Sequence, residues 1–400
     1  MNKKIIFYIG NFHYPSGNAA GKRVSGIISI LINLGYHVVV FDTRKIAVES
    51  KGIVLDNEAS NEYVTCYTMA YPQGILDWLK VSSLQEDLIR KFDEYKNVEA
   101  AIFYGSPRVS VFSNYLIKYF NKKNIVTISD VVDWLIVKTK NPIRDLVKKL
   151  DDYYQKTVLN NRFDKSICIS YFLEDMYKEK IRDIIVIPPV MDSYSFNELG
   201  EKNREKTLFY AGNPFRSDMR KNDVATMKDR LDLIISHLCE LKDEGVDNFV
   251  FQTYGFTKNE LLSSVPYISD KVESLGRNII FNGEVDNEYL VSQLINADFS
   301  VLFRDFKRDS VAGFPSKVAE SIVNGIPVIV TDVGDISLYL ENGKEILTSP
   351  PQDLISQKAS LRSAILMSDQ NISSMKEYAR SNRSFVPENY LEDIRFFINS

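Results

Sequence analysis

Apolar residues in this chain come in short continuous runs separated by longer stretches of helical period. Ile5–Ile9 is β-branched and aromatic throughout, which fits a strand buried on both faces. Asn11–Gly21 follows, rich in Gly, Pro, Ser and Asn, and reads as a loop. From Arg23 to Asn33 the apolar positions Val24, Ile27, Ile28, Leu31 and Ile32 recur at helical spacing. Gly35 ends that helix, and Val38–Phe41 is the next strand. A strand–helix–strand unit of this kind predicts a right-handed parallel crossover. Further strands are predicted at Ala101–Tyr104, Ile125–Ile128, Ser166–Ile169 and Ile184–Ile187.

Pro188-Pro189 interrupts the pattern, and the polar stretch Asn197–Lys206 reads as an interdomain linker. The pattern then restarts. Strands are predicted at Leu208–Ala211, Phe249–Tyr254, Ile279–Phe281, Phe299–Phe303 and Val328–Val330, with helices at Leu231–Leu241, Leu290–Ile295 and Ser316–Asn324. Continuous apolar strands between amphipathic helices mean parallel sheets covered on both faces. The expected fold class is therefore α/β, with two doubly wound, Rossmann-like domains in tandem. The expected division is 1–196, 197–375, and a final helix in 376–400 that crosses back to the first domain. Ligands of such folds bind beyond the carboxyl ends of the strands.

A length of 400 residues agrees with two domains. An apolar content of 44% and a charged content of 26% exclude a disordered chain. Cys66, Cys168 and Cys239 are far apart and odd in number, so they form no disulfide framework and suit a reducing compartment. His13, His37 and His237 make no metal-ligand pattern with them. No apolar run reaches the ~18 residues of a membrane span, and Ile5–Ile9 is too short for a signal-peptide core. The expected location is cytoplasmic. The net charge of −4 hides an asymmetry: residues 1–190 hold 26 Lys and Arg against 21 Asp and Glu, and residues 191–400 hold 23 against 32. A basic half suits an anionic surface, although no nucleic-acid motif is visible.

The richest chemistry lies between Ala312 and Ile329: a glycine turn, a helix and a buried strand in close succession. Gly313 is expected to bend the chain into the helix, with Pro315 in its first turn. Free amides at a helix start, with the dipole, attract an anion, and Lys317 adds a point charge. Glu320, one turn on, can accept two hydroxyl hydrogen bonds. An anion site beside a diol acceptor describes a nucleoside diphosphate. An ordinary helix with a proline start and a surface Lys–Glu pair is the plainer account of the same residues.

At this point the sequence resembles a family, the retaining glycosyltransferases of family 4, which share the two-Rossmann GT-B architecture facing across a cleft. Pro15-Ser16-Gly17-Asn18-Ala19-Ala20 with Arg23 resembles the family's first loop, and Leu34-Gly35-Tyr36-His37-Val38 the pattern that follows it. Ile185–Asp192, Tyr210-Ala211-Gly212, Lys228-Asp229, Phe281–Val285, Ala297-Asp298 and Gly313–Ile329 continue the likeness in order. The form Gly-Phe-Pro-x-Lys-x-x-Glu is similar to that of a polysaccharide-biosynthesis subset.

The resemblance implies a role for each matching residue. Glu320 matches the second Glu of the family's pair and would hold the ribose, while Ala312 stands where the first Glu is expected. Asp309 or Ser310 could substitute for it. Lys228 matches the Lys of the diphosphate clamp; Arg216 and Arg220 both stand where its Arg is expected. Arg304 could reach the donor phosphates, or pair with Asp305 or Asp309. Gly17, Gly283, Gly313, Phe314, Ser316 and Lys317 complete the implied donor-binding set. Asp130 and Asp133 follow a strand at its carboxyl end, and Asp133, beside Trp134, is the preferred match for a donor-sugar contact. Catalytic roles would fall to Asp133, Lys228 and Arg304. The resemblance further implies front-face transfer with retention, a UDP-sugar donor used as substrate, no other cofactor and no metal.

The acceptor is expected to be a saccharide or lipid-linked saccharide in bacterial surface polysaccharide biosynthesis. Val111–Lys123 and Leu146–Tyr154 are apolar-aromatic and carry lysines, so they can either pack inside the domain or rest on an anionic membrane. Two rivals remain: a non-catalytic GT-B partner subunit, and a sugar-nucleotide epimerase on the same fold.

Overall fold

In a computed structural model, the structure describes residues 3–15, 18–44, 52–70, 81–105, 110–134, 142–193, 205–215 and 227–400. The chain divides into two units, one of Met1–Met191 with Val386–Ser400, the other of Asp192–Phe385. The expected boundaries after residues 196 and 375 differ from these by five and ten residues. Most of the expected linker, residues 197–204, lies outside the described residues.

Among the described residues, the first unit is built on eight strands: β1 (Ile5–Gly10), β2 (His37–Arg44), β3 (Ile53–Asp56), β4 (Val64–Ala70), β5 (Val98–Tyr104), β6 (Val126–Val131), β7 (Lys165–Cys168) and β8 (Asp183–Val186). Their order in the sheet is β3-β4-β2-β1-β5-β6-β7-β8. Every neighbouring pair is parallel except β3 and β4. On β1, Ile6 and Tyr8 enter one core and Phe7 and Ile9 the other, which is why this strand reads as a continuous apolar run.

The helix Ala19–Asn33 starts at Asn18, whose side chain accepts from Gly21 N at 2.7 Å, and buries Val24, Ile27, Ile28 and Leu31. The C-terminal helix Leu391–Asn399 adds Ile394, Phe397 and Ile398 to the same core. Lys165 fastens its end, donating to Phe397 O at 2.5 Å and Ser400 Oγ at 2.7 Å.

Among the described residues, the second unit holds six parallel strands: β9 (Lys206–Ala211), β10 (Phe249–Tyr254), β11 (Ile279–Phe281), β12 (Phe299–Leu302), β13 (Val328–Thr331) and β14 (Ile346–Ser349). Their order is β11-β10-β9-β12-β13-β14. The pattern missed the β3–β4 hairpin and β14. Val54 and Leu55 of β3 are exposed, and β14 mixes Thr and Ser with its two aliphatics, so neither has the signature of a buried run.

Gly26 sits where the first helix meets the chain after β8. A Cβ built there would lie 1.9 Å from the Val190 carbonyl oxygen, a backbone atom that cannot step aside. Gly26→Ala should therefore destabilise the protein by about 1–3 kcal/mol through overpacking, although alanine is the better helix former by ~1 kcal/mol. A denaturant melt showing equal or greater stability would contradict this packing.

Candidate functional site

The carboxyl ends of β9 and β12 converge on one buried carboxylate. Asp229 precedes the helix Leu231–Asp243, and Arg230 N donates to Phe303 O at 2.8 Å, tying this segment to the end of β12. Asp229 is only 3% exposed. Its Oδ1 accepts from Arg304 Nε at 2.8 Å, and its Oδ2 accepts from Tyr210 Oη at 2.8 Å and from Lys317 Nζ. Lys317 also donates to Tyr210 Oη at 3.0 Å and stands 4.5 Å from the centre of that ring. The Arg304 backbone is held in turn by Thr331 at the end of β13, through Arg304 N to Oγ1 at 2.7 Å.

Burial alone would raise the Asp229 carboxyl. The charges of Lys317 and Arg304, with hydrogen bonds from Lys317 and Tyr210, hold it well below the usual carboxylate range. Burial lowers the Lys317 amine; Asp229 opposes this, while Arg304 and Lys228 add repulsion. Burial first, and Asp229 second, push the Tyr210 phenol well above its ordinary value.

Gly212, directly after β9, has φ +141°, and a Cβ there would lie 2.5 Å from Lys317 Cε and Nζ. The glycine is therefore what lets the lysine cross the end of the sheet. Gly255, after β10, has φ +92° and packs against the Gly212 backbone, and its N–H donates to Gly283 O at 2.7 Å. The turns after three adjacent strands thus close on one another.

The helix Ser316–Val323 brings Lys317 into this cluster. Pro315 is its N-cap residue, with extended backbone, rather than a member of the first turn as expected, and it supplies no side-chain cap. Gly313 is also extended, at φ −96°, so the turn makes no special demand for glycine, against expectation. Glu320, half-buried, lines a small pocket together with Tyr210, Ala211, Lys317 and Ser321. Phe314 packs its ring against Tyr339 and Phe385 at 5.6 and 5.3 Å, which leaves the backbone as its means of meeting a ligand. Ala312 is fully buried.

Of the expected residues, the structure brings Arg304 and Lys317 onto Asp229, with Lys228 close enough to repel Lys317 and Glu320 one turn along the helix. Arg304 pairs with Asp229, not with Asp305 or Asp309; Asp305 is taken by Arg230 at 2.7 Å and Lys307 at 2.8 Å. Gly17, Arg216 and Arg220 lie outside the described residues. The expected set gave no role to Asp229 or Tyr210. Their available signal was positional: an Asp beside Lys228, and a tyrosine near the end of a buried strand.

The first unit has its own pocket at the ends of β5 and β6, lined among others by Asn11, Tyr104, Asp130, Asp133, Asp152 and Lys156. Asp130 is a structural anion: Arg23 Nη2 donates to it at 3.1 Å and Tyr8 Oη at 2.6 Å. Arg23 also donates to Ile187 O at 2.8 Å and Pro188 O at 2.7 Å, which anchors the segment after β8. Asp133 lines the pocket and contributes, after burial itself, to raising the Tyr104 phenol. Lys156 Nζ stands 4.8 Å from the centre of the Trp134 ring.

Residues 223–365 match the family model described as "Glycosyl transferases group 1", a little over a third of the chain. No curated protein matches the chain. Solved structures match over its whole length. Sucrose-phosphate synthase from Thermosynechococcus elongatus aligns at a TM-score of 0.69 and 14% identity, covering 100% of both chains. HepE from Anabaena, in complex with UDP and glucose, gives 0.63 and 13%, covering 99% of each. TarM from S. aureus, in complex with fondaparinux, alpha-GlcNAc-glycerol and UDP, gives 0.65 and 11%, covering 100% of each. The fold is GT-B. Family model and fold together support a GT-B glycosyltransferase.

Removing Asp229 leaves a buried arginine and a lysine to repel each other. Asp229→Ala should cost about 3–5 kcal/mol, the range for breaking a buried ion pair from one side. Arg304→Met with Asp229→Leu should recover part of that loss. A chemical melt in which Asp229→Ala is as stable as the native protein would contradict the cluster.

Proposed function

We propose that the protein is a glycosyltransferase that moves a sugar from a nucleotide-sugar donor, with UDP favoured, to a saccharide or lipid-linked saccharide. The observation that carries this reading is the charge balance around Asp229. One carboxylate faces Lys317 and Arg304, with Lys228 beside them, so the cluster holds more positive charge than its own anion cancels. Such a surplus, at a helix start and at the carboxyl ends of β9 and β12, suits a diphosphate. In the transition state the same cations would offset charge growing on the leaving nucleoside diphosphate. The positions that neutralise this charge are side chains, so we propose transfer without a metal. Glu320, on the pocket wall beside Lys317, is assigned to the ribose hydroxyls.

In this reading the pocket of the first unit takes the acceptor, with Asp133 on its wall. Transfer proceeds with retention, the leaving phosphate accepting the acceptor's proton. The product would serve bacterial surface polysaccharide biosynthesis. No helix among the described residues is long and apolar enough to cross a membrane. A lipid-linked acceptor therefore implies a cytoplasmic enzyme held peripherally at the inner face of the cell membrane. The UDP in the HepE and TarM complexes favours that base over GDP and dTDP.

Calorimetry with UDP, GDP and dTDP, without metal, tests the reading. UDP should bind, and Glu320→Ala should weaken it by roughly ten- to a hundredfold, the worth of hydrogen bonds to a charged group. Absence of binding to all three would make a non-catalytic GT-B subunit the better account, and the buried Ala312 in place of an acidic residue would then be its mark.

The pH dependence follows from Lys317. Its amine is lowered by burial, so its charge is lost at a lower pH than that of a free lysine, and phosphate binding should fall as pH rises through that range. Lys317→Arg keeps its charge and should flatten the alkaline fall. An unchanged slope in the arginine variant would remove Lys317 from the phosphate site.

A further inference from the structure

The helix Pro142–Tyr154 is amphipathic in the opposite sense from a helix that covers a core. Leu146, Val147, Leu150 and Tyr153 fall on one face and are 58, 59, 60 and 67% exposed. Towards the protein, Asp151 and Asp152 of the same helix line the pocket at the ends of β5 and β6. The neighbouring helix Ser110–Lys122 behaves in the ordinary way: it turns Leu116, Ile117 and Phe120 inward and leaves Tyr115, Lys118 and Lys122 exposed. Of the two segments the sequence offered as membrane-facing, one therefore packs inside and one does not.

Charge says what covers the open face. Residues 101–154, which hold both helices, carry nine Lys and Arg against five Asp and Glu, in a chain whose net charge is −4. The four apolar side chains present on the order of 500 Å² of surface, the size of the largest, often functional, patch on a soluble monomer and short of the ~800 Å² per partner that a stable dimer buries. An exposed apolar strip on a helix, in a segment of the chain with more basic than acidic residues, suits a helix lying in the headgroup layer of an anionic membrane.

We infer that the face formed by Leu146, Val147, Leu150 and Tyr153 docks on an anionic phospholipid bilayer, so that the pocket lined by Asp151 and Asp152 is held at the membrane surface. The purpose of the contact rests on the lipid-linked acceptor proposed above; the contact itself needs no activity.

Sedimentation of the full chain with vesicles tests the inference. The protein should pellet with vesicles of phosphatidylcholine and phosphatidylglycerol in equal parts at least about tenfold more than with phosphatidylcholine alone, and salt should weaken the binding. Leu146→Ser with Leu150→Ser should remain in the supernatant, with native circular dichroism and unchanged UDP affinity. Wild-type protein left in the supernatant with both vesicles would overturn the inference, as would a double variant that pellets like wild type. So would a wild-type dimer that the double variant splits, without vesicle binding; the face would then belong to a second copy. If neither protein binds UDP but the vesicle difference persists, the donor reading falls and the docking stands.

Discussion

One buried carboxylate holds the functional end of the second unit together. Asp229 gathers a strand-end tyrosine, an arginine from just beyond a second strand, and a lysine from a helix start, three groups that would otherwise repel each other or lack a partner. An isolated ion is costly to bury, and a group that takes three donors is stable only where the fold brings all three to it. The sheet does that. Parallel strands end at one edge, and the turns after β9, β10 and β11 close against one another through Gly212, Gly255 and Gly283. The sheet thus offsets the cost of assembling the cluster, and the cluster is left with positive charge to spare.

The first unit repeats the device with other elements. Tyr8, on its central strand, donates to Asp130, and Arg23 grips the same carboxylate from the first helix. There the arginine uses its Nη1 on the carbonyls of Ile187 and Pro188. The two units thus share a Tyr–Asp–Arg arrangement with different consequences. In the first, the charges cancel and the arginine is a strut; in the second, a lysine is added and the balance tips towards binding an anion.

Much of this is legible in the amino-acid sequence. The alternation of buried runs and amphipathic helices, broken at Pro188-Pro189 and restarted, carries the two-unit α/β organisation, because each parallel strand needs apolar cover on both faces. The Gly313–Glu320 segment places Lys317 and Glu320 on one helix, since that is a local property. Partners across the sheet are not legible: Asp229 and Arg304 are 75 residues apart, and nothing local distinguishes Arg304's true partner from the nearer Asp305 and Asp309. The β3–β4 hairpin escapes the pattern because an edge strand tolerates exposed Val54 and Leu55. Nor does the sequence show that Lys156 stands over the ring of Trp134. The open face of Pro142–Tyr154 can be stated from sequence only as one of two possibilities, because apolar periodicity is the same whether the face is turned in or out.

Whether the Asp229 cluster is built to receive a diphosphate can be seen in a crystal structure of the protein grown with UDP. The diphosphate should lie at the start of the Ser316–Val323 helix, with Lys317 Nζ turned from Asp229 onto a phosphate oxygen and Glu320 on the ribose. A diphosphate bound elsewhere, with Lys317 still on Asp229, would refute that role.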